Sequence, residues 1–317
     1  MHKKILTIHL FITLAIIAES ALSPPAYGIR LILVEHLFDI TGGLRAPSDV
    51  AVSKQGRVYV VDGVNQRVAV FDKDGRMQFS FGRQGSGPGE FDTPVGIDID
   101  DAGMVYIADS RNHRMQIFTA EGGFARQIRL PPLNDHPADP VDVAVVPSGR
   151  RCYVSDNDNH RILFVDLARG EIFKTVGEKG TADLQFRYPF LATADADANL
   201  YVVDVINTRL QVLGPAGNLR NYIGDWGVEK GRFFRPKGVA LDPNDRVLVS
   251  DSYLGVVQVF TESGTFYAAL GEPDRRKVKK FRTPVGLHVD RNGRIYVVEM
   301  LADKVSVYKP RGEAESY

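Results

Sequence analysis

Six repeats of nearly constant length, each opening on a proline and carrying a short β-branched and aromatic run that closes on an acid, predict an all-β fold. The expected architecture is a six-bladed β-propeller of four-stranded blades. The prolines are Pro47, Pro94, Pro140, Pro189, Pro236 and Pro284, spaced by 47, 46, 49, 47 and 48 residues. The runs are Val58–Asp62 (VYVVD), Val105–Asp109 (VYIAD), Cys152–Asp156 (CYVSD), Leu200–Asp204 (LYVVD), Val247–Asp251 (VLVSD) and Ile295–Glu299 (IYVVE). Residues of this type, bounded by turn formers, are strand chemistry. Nowhere inside the repeats does a long stretch keep a helical period.

Composition agrees with one globular body. The chain has 317 residues, 44% hydrophobic and 25% charged, which excludes wholesale disorder. Its 39 basic and 39 acidic residues balance, which argues against a duplex nucleic-acid binder. Cys152 is the only cysteine, so neither an internal disulfide nor a cysteine zinc site is available. The core alone must hold the ring.

Taken in order, residues 1–28 read as a signal peptide. Lys3 and Lys4 precede the apolar run Ile5–Ala18, which is too short to span a bilayer, and small residues follow. Cuts after Ser20 or Gly28 both fit; left uncut, the segment would anchor the protein to the inner membrane. Export to a bacterial periplasm or the extracellular space is therefore expected. Residues 29–309 form the propeller. Leu31–Ile40 (LILVEHLFDI) is an orphan strand, and the last repeat has three strands, Val285–Asp290, Arg294–Glu299 and Lys304–Tyr308, without a fourth. The orphan is expected to complete that last blade and so remove two exposed edges. Residues 310–317 read as a C-terminal tail.

The turns after the second strands carry a more specific signature. Asp62 is followed by Asn65 and Arg67, Asp109 by Asn112 and Arg114, Asp156 by Asn159 and Arg161, Asp204 by Asn207 and Arg209. Glycine-rich connectors run from Gly82 through Gly85, Gly89 and Phe91 to Pro94, and from Gly224 through Gly227, Gly231 and Phe233 to Pro236. In these residues the chain resembles the NHL repeat family of six-bladed propellers, over about residues 31–309. Blades five and six depart from the pattern, with Leu254 and Val256, then Ala302 and Lys304, where Asn and Arg are expected.

The six acids ending the second strands are expected to be scaffold, because a carboxylate there can bond backbone N–H groups and the arginine of its own turn. His113 and His160, both in Asn-His-Arg turns, are expected to be turn residues. On the innermost strands, Asp98 and His288 are polar where Ala51, Ala144, Thr193 and Ala240 stand in the other blades. With Asp49 and Asp142 they are the candidate metal ligands of an alternative reading, a calcium- or zinc-dependent lyase or hydrolase in the central channel. The resemblance also implies a zinc lyase among relatives, but the three channel histidines such a site uses are absent. No Ser-His-Asp order and no phosphate loop is present. No cofactor is expected, calcium being the candidate if the acids bind one.

The favoured reading is a monomeric binding module. Connectors and Asn-x-Arg turns leave the same end of each blade and build one face. Trp226 and Tyr253 interrupt the repeat pattern there, and Lys237, Arg235 and Arg187 lie nearby; aromatics and arginine are enriched in binding hot spots. The expected partner is a protein or a small extracytoplasmic ligand. Arg275–Arg282 (RRKVKKFR) would suit an anionic surface.

Overall fold

The computed structural model describes residues 28–316. The signal segment, residues 1–27, lies outside them. Six blades surround a central channel. Blade one comprises Pro47–Val52, Val58–Asp62, Arg67–Phe71 and Met77–Phe81, hydrogen-bonded in that order from the axis outward. Blades two, three and four repeat this from Pro94–Ile99 to Phe124–Arg129, from Pro140–Val145 to Glu171–Val176 and from Pro189–Ala194 to Leu219–Ile223. Blade five runs from Pro236–Leu241 to Phe266–Glu272. Blade six contains Pro284–Val289, Ile295–Glu299 and Lys304–Glu315, and Arg30–Ile40 pairs antiparallel with the last of these as its fourth strand.

Burial explains why the strands read so differently. All five side chains of Val58–Asp62 are buried, since this strand lies between neighbouring blades, so it is nearly continuous in apolar residues. The outer strand Met77–Phe81 faces water and interleaves Gln78 and Ser80. Among the described residues there are six apolar clusters, one at each blade–blade interface. Between blades one and two the cluster includes Tyr59, Val61, Val70, Ile107 and Phe118; across the closure it joins Ile40, Val60 and Phe71 to Val298 and Val305. Connector phenylalanines Phe91, Phe186 and Phe233 are fully buried plugs. A Cβ on Gly82, which holds φ +87°, would collide with the Phe91 ring, so the plug requires glycine there.

Two features exceed the pattern of the sequence. The third strand of blade six continues to Glu315, so most of the residues that read as a tail belong to the sheet. Its polar extension, with Pro310 and Gly312, carries no strand signal; it is extended because Arg30–Val34 offers it an open edge. The N-terminal strand also pairs in parallel with blade five through Leu31–Leu33 and Ala269–Gly271. Blades five and six thereby share one nine-stranded sheet. Among the described residues, no helix is long and apolar enough to cross a membrane.

Candidate functional site

The connector face is built on the six acids. Asp62 accepts the Arg45 backbone N–H at 2.8 Å, pairs with Arg67 Nε at 2.8 Å and accepts Asn65 Nδ2 at 2.8 Å. Asp109 does the same with Asp92 N–H, Arg114 and Asn112, and Asp156 with Asp139 N–H, Arg161 and Asn159. Asp204 holds Arg187 N–H, Asn207 and Arg209. Each carboxylate thus ties the incoming connector to the turn beside it, as a scaffold. His113 and His160 occupy the left-handed position of this turn. His113 Nδ1 bonds the Ala138 carbonyl at 2.6 Å, and His160 Nδ1 accepts the Tyr188 N–H at 3.2 Å. Both histidines secure the next connector.

Blade five replaces this arrangement. Among the described residues, Asp251 accepts only backbone N–H groups, from Phe234, Arg235, Tyr253 and Leu254. Tyr253 turns outward, 66% exposed, and stacks on Phe234 at 4.1 Å. Trp226 stands on the same connector, 64% exposed, where its backbone bridges to Phe233. Arg187 and Arg235 are exposed side chains whose own N–H groups are held by Asp204 and Asp251. Lys237 sits at the channel mouth, its Nζ 4.4 Å from the Phe190 ring centroid. Burial, with Arg235 beside it, pulls its pKa below the ordinary lysine value. The structure therefore places the five nominated residues in the sector of blades four and five. No ring contact links Trp226 to Tyr253 among the described residues.

Sequence reasoning missed the extent of the apolar face. Val64, Tyr188, Ile206, Val228 and Leu301 are also exposed, and all lie on connectors or second-to-third-strand turns. With Trp226 and Tyr253 they outnumber Met77, Phe124 and Phe173, the exposed large apolar residues of the outer strands. The available signal was an apolar residue within a turn, where water-facing positions are usually polar. The basic run folds back: Lys277–Val278 pairs with Gly271–Glu272, and Lys279 lies 3.8 Å from Glu272. Lys280 Nζ donates to the Leu254 carbonyl at 2.8 Å.

The channel holds a cavity of about 280 Å³ that opens on the opposite face, between the hairpins joining first and second strands. Its mouth is bridged by Asp101, which pairs with Lys54 of blade one and Arg291 of blade six. Of the four residues considered for a metal, Asp49, Asp98 and His288 line this cavity and Asp142 does not. Among the described residues, no group of three or more His, Cys, Asp or Glu is placed to hold an ion. Asp49 accepts the Ile97 N–H at 3.0 Å, Asp98 the Val145 N–H at 2.7 Å and Asp142 the Ala192 N–H at 2.6 Å. Each carboxyl pins its blade to the next; Ile97 and Ala192 lie at the bulge that follows the opening proline, and Val145 lies beyond it. Burial pushes Asp98 up to about 7 and Asp49 to about 8, and raises Asp142, with Asp49 adding to that last rise. His288 is half-buried on the cavity wall near Tyr296, and burial lowers its pKa to about 4.

Comparisons with known proteins agree with this architecture. A family model described as a 6-bladed beta-propeller matches residues 43–156. The protein brain tumor of Drosophila melanogaster is 27% identical over 138 residues, covering 43% of this chain and 13% of that protein. The human E3 ubiquitin-protein ligase NHLRC1 is 28% identical over 117 residues, covering 37% of this chain and 28% of the ligase. The chain thus spans under a third of either relative. Among solved structures, a streptogramin B lyase superposes with a TM-score of 0.64 at 13% identity, covering 88% of this chain and 97% of that one, a likeness of fold alone. With six closed blades, the Asp-Asn-Arg turns and these partial matches together, the chain is a six-bladed β-propeller that is similar to NHL-repeat proteins.

Proposed function

We propose that this propeller is an exported binding module that docks another protein on its connector face, centred on blades four and five. The observation that carries this reading is the gathering of exposed apolar side chains there, led by Trp226 and Tyr253. Water-exposed apolar surface on a rigid scaffold is costly to keep and is characteristic of interaction sites. The fold supplies the rigidity, since acids and connectors are tied blade by blade. Arg187, Arg235 and Lys237 add cationic specificity at the same sector.

The test compares wild type with a Trp226→Ala/Tyr253→Ala variant as bait, using a photo-crosslinker at position 228 and solubilised cell envelope. The expected result is a partner crosslinked to wild type and lost from the double variant. An identical set of crosslinked proteins from both would overturn the face. Export is tested by the mass of the protein recovered from the periplasm, which should lack the first 20 or 28 residues. The metal-dependent alternative has less support, because among the described residues no group of three or more His, Cys, Asp or Glu is placed to hold an ion.

A further inference from the structure

The residue directly after each opening proline is one position repeated around the connector-side end of the channel. It is Ser48, Val95, Val141, Phe190, Lys237 and Val285 in blades one to six. Ser48 is satisfied within the ring, donating to the Val95 carbonyl at 2.6 Å. Lys237 is the one charged member, and sites that act on a ligand are where a repeat protein breaks its own symmetry. Its ammonium contacts the face of Phe190 and has Arg235 as its charged neighbour. Among the described residues, no carboxylate lies within ion-pair distance of it.

A partly buried cation without a counter-charge is unfavourable in the isolated chain and gains most when an anion arrives. The aspartates along the channel do not supply that anion. Asp49 and Asp142 are buried, held toward their protonated forms, and bonded to neighbouring blades. We infer that Lys237 receives a carboxylate of the partner polypeptide at the connector-side mouth of the channel, from an acidic segment that also carries an apolar or aromatic side chain. This rests on the connector face being the docking face. Phe190 and the Phe234–Tyr253 stack offer apolar surface in the same sector. One ammonium among valines and phenylalanines matches one carboxylate with apolar neighbours. A nucleic-acid backbone calls instead for successive cations along a groove.

The experiment pans a random-peptide library on the full-length mature protein and, in parallel, on Lys237→Val. Valine occupies the same position in blades two, three and six, so this variant keeps the ring's own chemistry, and its thermal unfolding should match wild type. Trp226, the only tryptophan in the chain, reports binding of a selected peptide by its emission. The expected result is enrichment of Asp or Glu beside an apolar residue on wild type alone. A selected peptide should then bind wild type about tenfold more weakly after its Glu is changed to Gln. Lys237→Val should not distinguish the two peptides, and Lys237→Arg should restore part of the preference. Absence of acidic enrichment, equal binding of the Glu and Gln peptides, or a preference that survives in Lys237→Val overturns the inference. So does Lys237-dependent binding of polyuridylate or anionic vesicles without any peptide preference. Measured by recovery in panning, peptides lacking acidic preference but lost in Trp226→Ala/Tyr253→Ala would overturn the carboxylate alone; peptides insensitive to all variants would overturn the docking face as well.

Discussion

Blades two and five end their second strands on the same carboxylate and use it differently. In blade two, Asp109 anchors Arg114, which is 1% exposed and donates to the Ser86, Gly87 and Glu90 carbonyls of the connector as well as to Gln127. In blade five, Val256 stands in the position of that arginine, and Asp251 is left to backbone N–H groups. Gln258 keeps one link to the connector, through the Gly231 N–H and the Arg232 carbonyl. The consequence is functional as well as structural. Where side chains stitch turn to connector, the arginine is held against connector carbonyls; where the stitch is missing, Tyr253 turns its ring outward and stacks on Phe234. The sector that departs from the repeat is also the one joined by the N-terminal strand, which fuses blades five and six into a single sheet.

This contrast can be broken most severely at that strand. Deleting residues 30–40 exposes the edges of Lys304–Glu315 and Phe266–Glu272 together and opens the apolar cluster around Ile40. The expected outcome is loss of the cooperative unfolding transition by circular dichroism; a truncation that melts like wild type would refute strand closure. Next in size is Arg114→Ala, which strands the buried Asp109 charge and should cost about 3–5 kcal/mol in urea unfolding. Val256→Ala at the matching position of blade five removes only apolar burial and should cost about 1.5 kcal/mol. Equal costs would erase the distinction between the two blades.

A smaller effect depends on pH. Burial raises Asp98 from its ordinary 3.8 to about 7, so between those values the folded protein keeps a proton that the unfolded chain has released. Stability contributed by this group is therefore present in acid and declines as pH rises toward neutrality. Asp98→Asn should flatten that decline, measured as the urea midpoint against pH; a steeper profile in the variant would contradict the assignment. The smallest stability change is expected for Tyr253→Ala, within about 0.5 kcal/mol because the side chain is exposed. The same variant should weaken partner capture. A large loss of stability would make Tyr253 a structural residue of blade five.

Much of the ring could be read in advance. The doubly buried second strands select valine, isoleucine and tyrosine so strongly that six copies stand out, and the acid-Asn-Arg turns mark where carboxylates face the connectors. Asp49, Asp98 and Asp142 were harder. From spacing they resemble ligands gathered about an axis, yet in space each reaches sideways to a backbone N–H of the neighbouring blade, at the bulge for Asp49 and Asp142 and beyond it for Asp98. A bulge has no sequence mark of its own, so neither the free N–H nor its partner was visible.

The fold class, the blade count, the scaffold acids and the strand that closes the circle are legible in the amino-acid order, because they follow from local chemistry repeated at a constant interval. Tertiary structure decided which departures from the repeat matter. Only the closed ring brings Phe190 under Lys237 and Phe234 against Tyr253, runs Lys304–Glu315 along the N-terminal strand, and turns three aspartates into joints between blades. Those contacts depend on residues of neighbouring blades or of the two ends of the chain meeting in space, and such proximity is set by packing rather than by any local pattern.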